Sequence, residues 1–375
     1  MKIISVVGAR PNFMKIAPFC RALAKHPEAT HVLVHTGQHY DVRMSDSFFV
    51  DLGIPEPDIH LNIGSGSHAE QVGRTMIEFE KVVRAEHPDW IVVVGDVNAT
   101  CACSIVAKKE HVKLAHIEAG LRSGDIDMPE EVNRLVTDRL ADLLLTPDRI
   151  SNANLKREGV DDSRIAFVGN IMIDTLETQR EKAAAKSLPE LVERELLEPR
   201  NVPKITDGGF AVMTMHRPSN VDQLETLAPL VDFLADEVAS DMPLLWPIHP
   251  RAQKQLKEFD LWDKVRRKII LLNPVGYHDM LRLNMGAKVM LTDSGGLQEE
   301  CCVLGTPCLT LRWNTERPVT LREHGGASIL VGNDVNRIRA AYREVLDAPR
   351  TPQRPELWDG HTAERIVEAL LNYQV

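Results

Sequence analysis

Short apolar runs rich in β-branched residues alternate along this chain with longer segments of helical period. Residues 3–7, 31–35, 90–94, 113–117, 143–146 and 165–168 read as strands. Residues 14–24 and 69–85 between them repeat apolar positions at three- and four-residue steps and read as helices. Strands that alternate with helices predict a parallel sheet covered on both faces. The pattern then starts again, with strands at 210–215, 244–248, 269–272, 288–291, 308–311 and 328–331. A charged, strand-poor stretch from about 178 to 209 separates the two sets and reads as a helix plus a linker, with Pro203 and Gly208-Gly209 near its end.

The expected fold is therefore α/β, with two doubly wound Rossmann-like domains. Residues 1–178 form an N-terminal domain and residues 205–355 a C-terminal one. Residues 356–375 carry a last helix, whose candidate packing partner is the N-terminal domain. A length of 375 residues fits this division, since it exceeds what one core serves. In doubly wound sheets ligands sit beyond the carboxyl ends of the strands.

Composition narrows the class further. The chain is 43% hydrophobic and 26% charged with a net charge of −10, which argues against nucleic acid as a partner. Its six cysteines show no paired Cys-x-x-Cys spacing, so no metal site is expected. No apolar stretch approaches the ~20 residues of a membrane span, and no signal peptide opens the chain. A reducing cytoplasm is the expected compartment. A GxGxxG fingerprint after a strand and a Walker-type GxxxxGK[ST] are both absent, which disfavours hydride transfer and P-loop chemistry.

The candidate chemistry falls at strand ends. The first strand runs into Gly8-Ala9-Arg10-Pro11-Asn12-Phe13-Met14-Lys15, where two cations flank a helix start and oppose its dipole unless an anion is held there. Asp96, after the strand at 90–94, is a helix cap or a catalytic carboxylate. Glu118 finishes an apolar strand, and desolvation there is expected to raise its pKa towards acid–base use. Pro129 opens a helix whose apolar face is Val132, Leu135, Val136, Leu140 and Leu143. Its opposite row is Glu131, Arg134 and Asp138, either a surface ion-pair row or part of a site.

In the second half the strand ends are basic and glycine-rich. His216-Arg217 can grip a phosphate. Tyr277, after Asn273-Pro274-Val275-Gly276, can hold a nucleobase. The strand ending in Thr292 turns through Asp293-Ser294-Gly295-Gly296 straight into a helix, a backbone anion site at the positive end of a dipole. Glu300, one turn on, can accept from ribose hydroxyls. Acids in one half and cations with glycines in the other suggest a nucleotide diphosphate whose attached group meets carboxylates.

Taken in order, Gly8-Ala9-Arg10-Pro11, Lys15, Gln38-His39, Gly95-Asp96, Glu118-Ala119-Gly120-Leu121-Arg122, Pro129-Glu130-Glu131-Val132-Asn133-Arg134, His216-Arg217, Asp293 to Glu300 and Thr315-Glu316-Arg317-Pro318 resemble the non-hydrolysing UDP-N-acetylglucosamine 2-epimerases. The resemblance implies the glycosyltransferase-B architecture, a homodimer, a UDP-sugar substrate in the interdomain cleft and no cofactor. It implies epimerisation of UDP-GlcNAc to UDP-ManNAc by elimination of UDP to a 2-acetamidoglucal, then re-addition. It places catalytic carboxylates at Asp96, Glu118 and Glu131 with Lys15 beside them. Diphosphate contacts fall at Arg10, His216, Ser294, Gly295 and Gly296, and a ribose contact at Glu300. His216 also joins the catalytic set, and Lys15, Arg134, Tyr277 and Arg317 join the substrate-binding set. Asn12, Val97-Asn98-Ala99, Pro218-Ser219 and Val319 depart from the common family pattern. They leave open the exact UDP-sugar, such as a diacetamido uronic acid, and activation by substrate. A UDP-sugar glycosyltransferase, a hydrolysing relative and a sugar-nucleotide-binding protein without catalysis are the alternatives.

Overall fold

The computed structural model describes residues 1–8, 10–37 and 53–373, with Arg10 and Pro11 described by backbone alone. Gln38 and His39 lie outside the described residues. The chain divides into two compact units, Met1–Thr178 with Pro355–Val375, and Gln179–Arg354.

The first unit holds β1 (Lys2–Val7), α1 (Arg10–Leu23), β2 (Thr30–His35), β3 (Ile59–His60), α2 (His68–Glu86), β4 (Trp90–Val94), α3 (Asn98–Lys109), β5 (Lys113–Ile117), α4 (Pro129–Leu140), β6 (Leu143–Thr146), α5 (Arg149–Arg157) and β7 (Ile165–Phe167). Its sheet runs β3-β2-β1-β4-β5-β6-β7, every pair parallel. The strand order reverses between β1 and β4, so the crevice such sheets use opens past Val7 and Val94. Register aligns Val94 with Ile117, and the Gly95 amide donates to the Ile117 carbonyl at 3.1 Å. That alignment sets Asp96 beside Glu118.

Local chemistry fixes the helices. A capping box of Ser67 and Glu70 starts α2, and Pro129 with Glu130 and Glu131 in the first turn starts α4. Between 178 and 209, where a helix and linker were expected, lie the end of α6 (Ile171–Ala184) and a second helix, α7 (Leu188–Glu195), whose Leu188, Leu191 and Val192 are buried. The C-terminal helix Thr362–Leu371 packs against α1, and both oxygens of Asp174 cap its first amides.

The second unit carries β8 (Ala211–Thr214), β9 (Leu244–Pro247), β10 (Ile270–Leu272), β11 (Val289–Thr292), β12 (Cys308–Thr310) and β13 (Ser328–Leu330) in the order β10-β9-β8-β11-β12-β13, again all parallel, with helices α8 (Pro218–Val221), α9 (Leu224–Phe233), α10 (Pro250–Glu258), α11 (Trp262–Lys268) and α12 (Tyr277–Gly286) between them. Alternate residues go to opposite faces. Ala211, Met213, Trp246 and Leu291 join one apolar layer, while Val212, Leu245, Met290 and Cys308 join the other. Reversal here falls between β8 and β11, and Thr292 pairs with Thr214. His216 and Ser294 therefore emerge at the switch point.

Candidate active site

In the first unit the site is built around Gly95. Its φ of +69° suits glycine, and a side chain there would meet Lys15 Nζ at 3.2 Å, Asn12 Nδ2 at 3.3 Å and Glu118 Oε2 at 3.5 Å. Lys15, projecting from α1, donates to Glu118 Oε2 at 2.5 Å, and both side chains are buried. Glu118 Oε1 makes no hydrogen bond among the described residues. Glu118 itself sits at φ +73°, a left-handed conformation rare outside glycine. Strain of this kind costs roughly 1–3 kcal/mol and collects at functional sites. The Leu145 carbonyl holds it in place by accepting from the Glu118 and Ala119 amides at 3.1 and 3.2 Å. Asn12 donates to the Val94 carbonyl at 2.8 Å, so the asparagine that breaks the family pattern ties the first helix to the same turn.

Asp96 and Glu131 meet on Arg134. That guanidinium is only 2% exposed. It donates to an Asp96 oxygen through NH1 and to Glu131 Oε2 through Nε at 2.9 Å and NH2 at 2.6 Å. Glu131 also accepts from the amides of Ser123 and Gly124, both at 3.0 Å, and from Ser123 Oγ at 3.1 Å. Burial pushes the Glu131 carboxyl up, but the Ser123 amide, Arg134 and the Gly124 amide outweigh it and hold its pKa below the ordinary glutamate value. A carboxylate so fully engaged is a weak proton acceptor and a good anchor. The Asp96 side chain is 26% exposed, the most open of the three.

The sequence pattern had α4 facing the other way. Val132 and Leu135, expected on the apolar face, are 43% and 36% exposed, while Glu131, Arg134 and Asp138 are buried. A surface ion-pair row is thus excluded. The helix turns its charges inward because they serve the β4 and β5 turns.

The second unit's site centres on Asp293, which sequence reasoning quoted but gave no role. It is fully buried. Its Oδ2 accepts from the His216 and Arg217 amides at 2.9 and 2.8 Å and from Asn220 Nδ2 at 3.2 Å, and its Oδ1 lies 2.7 Å from His216 Nδ1. Burial raises its carboxyl, but the His216 ring and these amides hold it below the usual aspartate value. The buried carboxylate, 2.7 Å from Nδ1, fixes the place of the part-exposed His216 ring. An aspartate closing a buried strand before Ser-Gly-Gly was the signal for this role.

Ser294 precedes α13 (Gly295–Leu304) and makes no side-chain bond into its first turn among the described residues. The first amides of α13 therefore remain for a ligand anion. Any Cβ on Gly295 would lie 2.7 Å from both Arg317 NH1 and Glu316 Oε1, so the guanidinium flanks the helix start. Glu299 Oε1, 2.8 Å from Arg317 Nε, and Glu316 orient it. One turn into α13, burial pushes the Glu300 carboxyl up to about 7, against lowering contacts from Tyr277 and Asn284. The structure thus gathers His216, Ser294, Gly295, Gly296 and Arg317 at one switch point and pairs Tyr277 with Glu300. Lys15, Asp96, Glu118, Glu131 and Arg134 gather at the other. The Arg10 side chain lies outside what is described.

Two parallel doubly wound sheets of this kind, each with charged groups at its switch point, mark a glycosyltransferase-B class of nucleotide-sugar protein. The UDP-N-acetylglucosamine 2-epimerase family model matches residues 21–371. A UDP-N-acetylglucosamine 2-epimerase of Methanocaldococcus jannaschii is 42% identical over 373 residues, covering 99% of each chain. The crystal structure of the M. jannaschii UDP-GlcNAc 2-epimerase with UDP-GlcNAc and UDP superposes with a TM-score of 0.88 at 40% identity, again over 99% of each. A UDP-2,3-diacetamido-2,3-dideoxy-D-glucuronate 2-epimerase of Pseudomonas aeruginosa is 35% identical, covering 99% of each chain. A lipopolysaccharide outer core galactosyltransferase, 12% identical with a TM-score of 0.55, shares the fold. The chain belongs to the UDP-N-acetylglucosamine 2-epimerase family and is an isomerase. Among the described residues no helix is long and apolar enough to cross a membrane.

Proposed function

We propose that this chain interconverts UDP-GlcNAc and UDP-ManNAc by eliminating and re-adding UDP. The observation that carries the reading is the pair of carboxylates at the β4 and β5 ends, Asp96 and Glu118, each held against a buried cation. A carboxylate takes the C2 proton as the C1–O bond breaks. The C2–H electrons form the C1–C2 double bond of a 2-acetamidoglucal, and UDP leaves with the C1–O pair. UDP then re-adds to C1 while a proton reaches C2 from the other face. Two faces require two proton-handling groups, or one and water, and Asp96 and Glu118 are the candidates. Glu131, engaged by the Ser123 and Gly124 amides and Arg134, holds Arg134 on Asp96 instead. The first amides of α13, His216 and Arg317 stabilise the departing diphosphate, and Glu300 with Tyr277 takes the nucleoside. The M. jannaschii relative crystallised with UDP-GlcNAc and UDP supports this choice of ligand.

Incubation with UDP-GlcNAc in D2O, followed by NMR, tests the reading. Deuterium at C2 with an accumulating manno isomer supports it, and unchanged UDP-GlcNAc at high enzyme concentration refutes it for this sugar. A second reading, a UDP-diacetamido uronic acid as substrate, draws on the Pseudomonas relative and is tested with that sugar in the same assay. The reading includes a homodimer, with exposed Ile77 on α2 and Val132 and Leu135 on α4 as its apolar surface, which sedimentation velocity decides. Its compartment is the cytoplasm, in keeping with six cysteines that are all buried free thiols.

A further inference from the structure

His116 on β5 is fully buried, and Asp138 on α4 nearly so. Neither belongs to the site as derived above. Asp138 Oδ1 lies 2.6 Å from His116 Nδ1, and the Gly95 carbonyl lies 2.9 Å from His116 Nε2. A carbonyl only accepts. The Asp138 carboxylate, with Arg122 NH1 at 2.7 Å and the Gly120 amide at 3.0 Å on its other oxygen, also accepts. His116 therefore donates from Nε2 to the Gly95 carbonyl and meets the Asp138 carboxylate through Nδ1.

Burying such a pair carries a desolvation penalty that well-packed apolar side chains avoid. A reason other than packing is needed, and the contacts supply one. Three groups converge on two residues of the β4 turn. Arg134 holds the Asp96 carboxylate, Asn133 Nδ2 donates to the Asp96 carbonyl at 2.9 Å, and His116 donates to the Gly95 carbonyl just before it. Arg134 and Asn133 stand on α4, and His116 leans on α4 through Asp138. The same Asp138 grips Gly120 and Arg122, just past the strained Glu118. One aspartate thus braces the turns that carry both carboxylates.

We propose that His116 and Asp138 are positioning residues that set the aim of Asp96 and Glu118 on the sugar; this rests on reading those two carboxylates as the proton-handling groups. His116 acts through the Gly95 carbonyl and Asp138 through His116 and the Gly120–Arg122 turn. Neither touches the substrate. Misplacement of reacting groups by about 1 Å costs on the order of a hundredfold in rate, which is the size of effect to expect.

The test compares H116N, H116Q and D138N with the wild-type chain, scoring kcat and KM for C2 epimerisation of UDP-GlcNAc. Rates are taken per mole of UDP-competent protein, counted by titration with UDP, so that misfolded molecules drop out. An asparagine amide reaches the Nδ1 position and keeps the Asp138 contact, and a glutamine amide reaches the Nε2 position and keeps the Gly95 contact. Expected for H116N and D138N is a kcat lowered about a hundredfold with KM within about threefold of wild type. Expected for H116Q is a kcat at least tenfold above that of H116N. Wild-type kcat per competent molecule in H116N and D138N overturns the proposal, as does equal damage in H116N and H116Q. If H116N yields no competent protein, D138N decides by the same split. A wild-type chain that binds UDP but exchanges no C2 hydrogen, with either sugar, instead overturns the reading of the site itself, and the proposal with it.

Discussion

Replacing Glu300 by glutamine should stabilise the second unit at neutral pH while weakening its ligand. The Glu300 side chain is buried in α13 with its pKa raised from 4.5 to about 7. Below pH 4.5 the folded and unfolded states both hold the proton, and the group carries no penalty. As pH rises from 4.5 towards 7 the unfolded chain gives up the proton and the folded chain keeps it, so stability falls. Above 7 the loss is complete, at about 3 kcal/mol for a shift of this size. Glutamine keeps the shape and cannot ionise, so E300Q escapes the loss. Wild type and variant should lie within about 1 kcal/mol of each other at pH 5 and about 3 kcal/mol apart at pH 8, with the variant the more stable. For a unit of this size, about 2–4 °C per kcal/mol makes the pH 8 gap roughly 6–12 °C in the unit's melting temperature. Denaturant unfolding at both pH values measures it directly. At pH 8, where Glu300 is ionised, UDP should bind E300Q about tenfold more weakly or worse, because a charged hydrogen-bond acceptor is gone. A stability difference that is the same at pH 5 and pH 8 would refute the reasoning, and so would a less stable variant at pH 8.

D96N should lower kcat by about a hundredfold or more while leaving the UDP dissociation constant within about twofold, checked by calorimetric titration beside the D2O exchange assay. E131Q removes the charge that anchors Arg134, and breaking one partner of such a buried pair should destabilise the first unit by about 3–5 kcal/mol, read by calorimetry, with turnover falling too. G295A puts a methyl against Arg317 and Glu316 at the start of α13; UDP affinity should fall at least about tenfold with little change in C2 exchange at saturating substrate.

Most of the architecture was legible because parallel strands buried on both faces are continuous apolar runs. All six strand segments read in each half correspond to strands. The two-residue β3 was not seen, since a strand paired through only Val34–Ile59 and His35–His60 has no periodicity to show. Strand ends also marked the site, because the switch point of a doubly wound sheet is a topological consequence of the strand order. What the sequence could not show was which groups hold others. Asp293 looked like part of a glycine-rich turn, yet it orients His216 through two amides and a ring nitrogen. Asn12 stood out only as a departure from the family pattern, and it ties α1 to the β4 turn.

The helix α4 shows why such failures fall at sites. Hydrophobic periodicity locates the buried face of a helix only where burial is driven by apolar area. In α4 the buried face is Glu131, Asn133, Arg134, Thr137 and Asp138, and the apolar Val132 and Leu135 face outward. Each inward charge has its partners on the β4 or β5 turn or in the Gly120–Gly124 loop that follows β5, so the ion pairs replace the apolar contacts a plain surface helix would make. Such a row of buried charges is stable only if each charge is satisfied, and the contacts of Glu131, Arg134 and Asp138 meet that demand, while Thr137 Oγ1 beside them has no hydrogen-bond partner among the described residues. An acidic and basic row at i, i+3 and i+7 beside an apolar stripe is therefore ambiguous by periodicity alone. The strand-end carboxylate at Asp96 resolves it, because it needs a fixed cation and Arg134 on the charged face of α4 supplies one, as Lys15 on α1 does for Glu118.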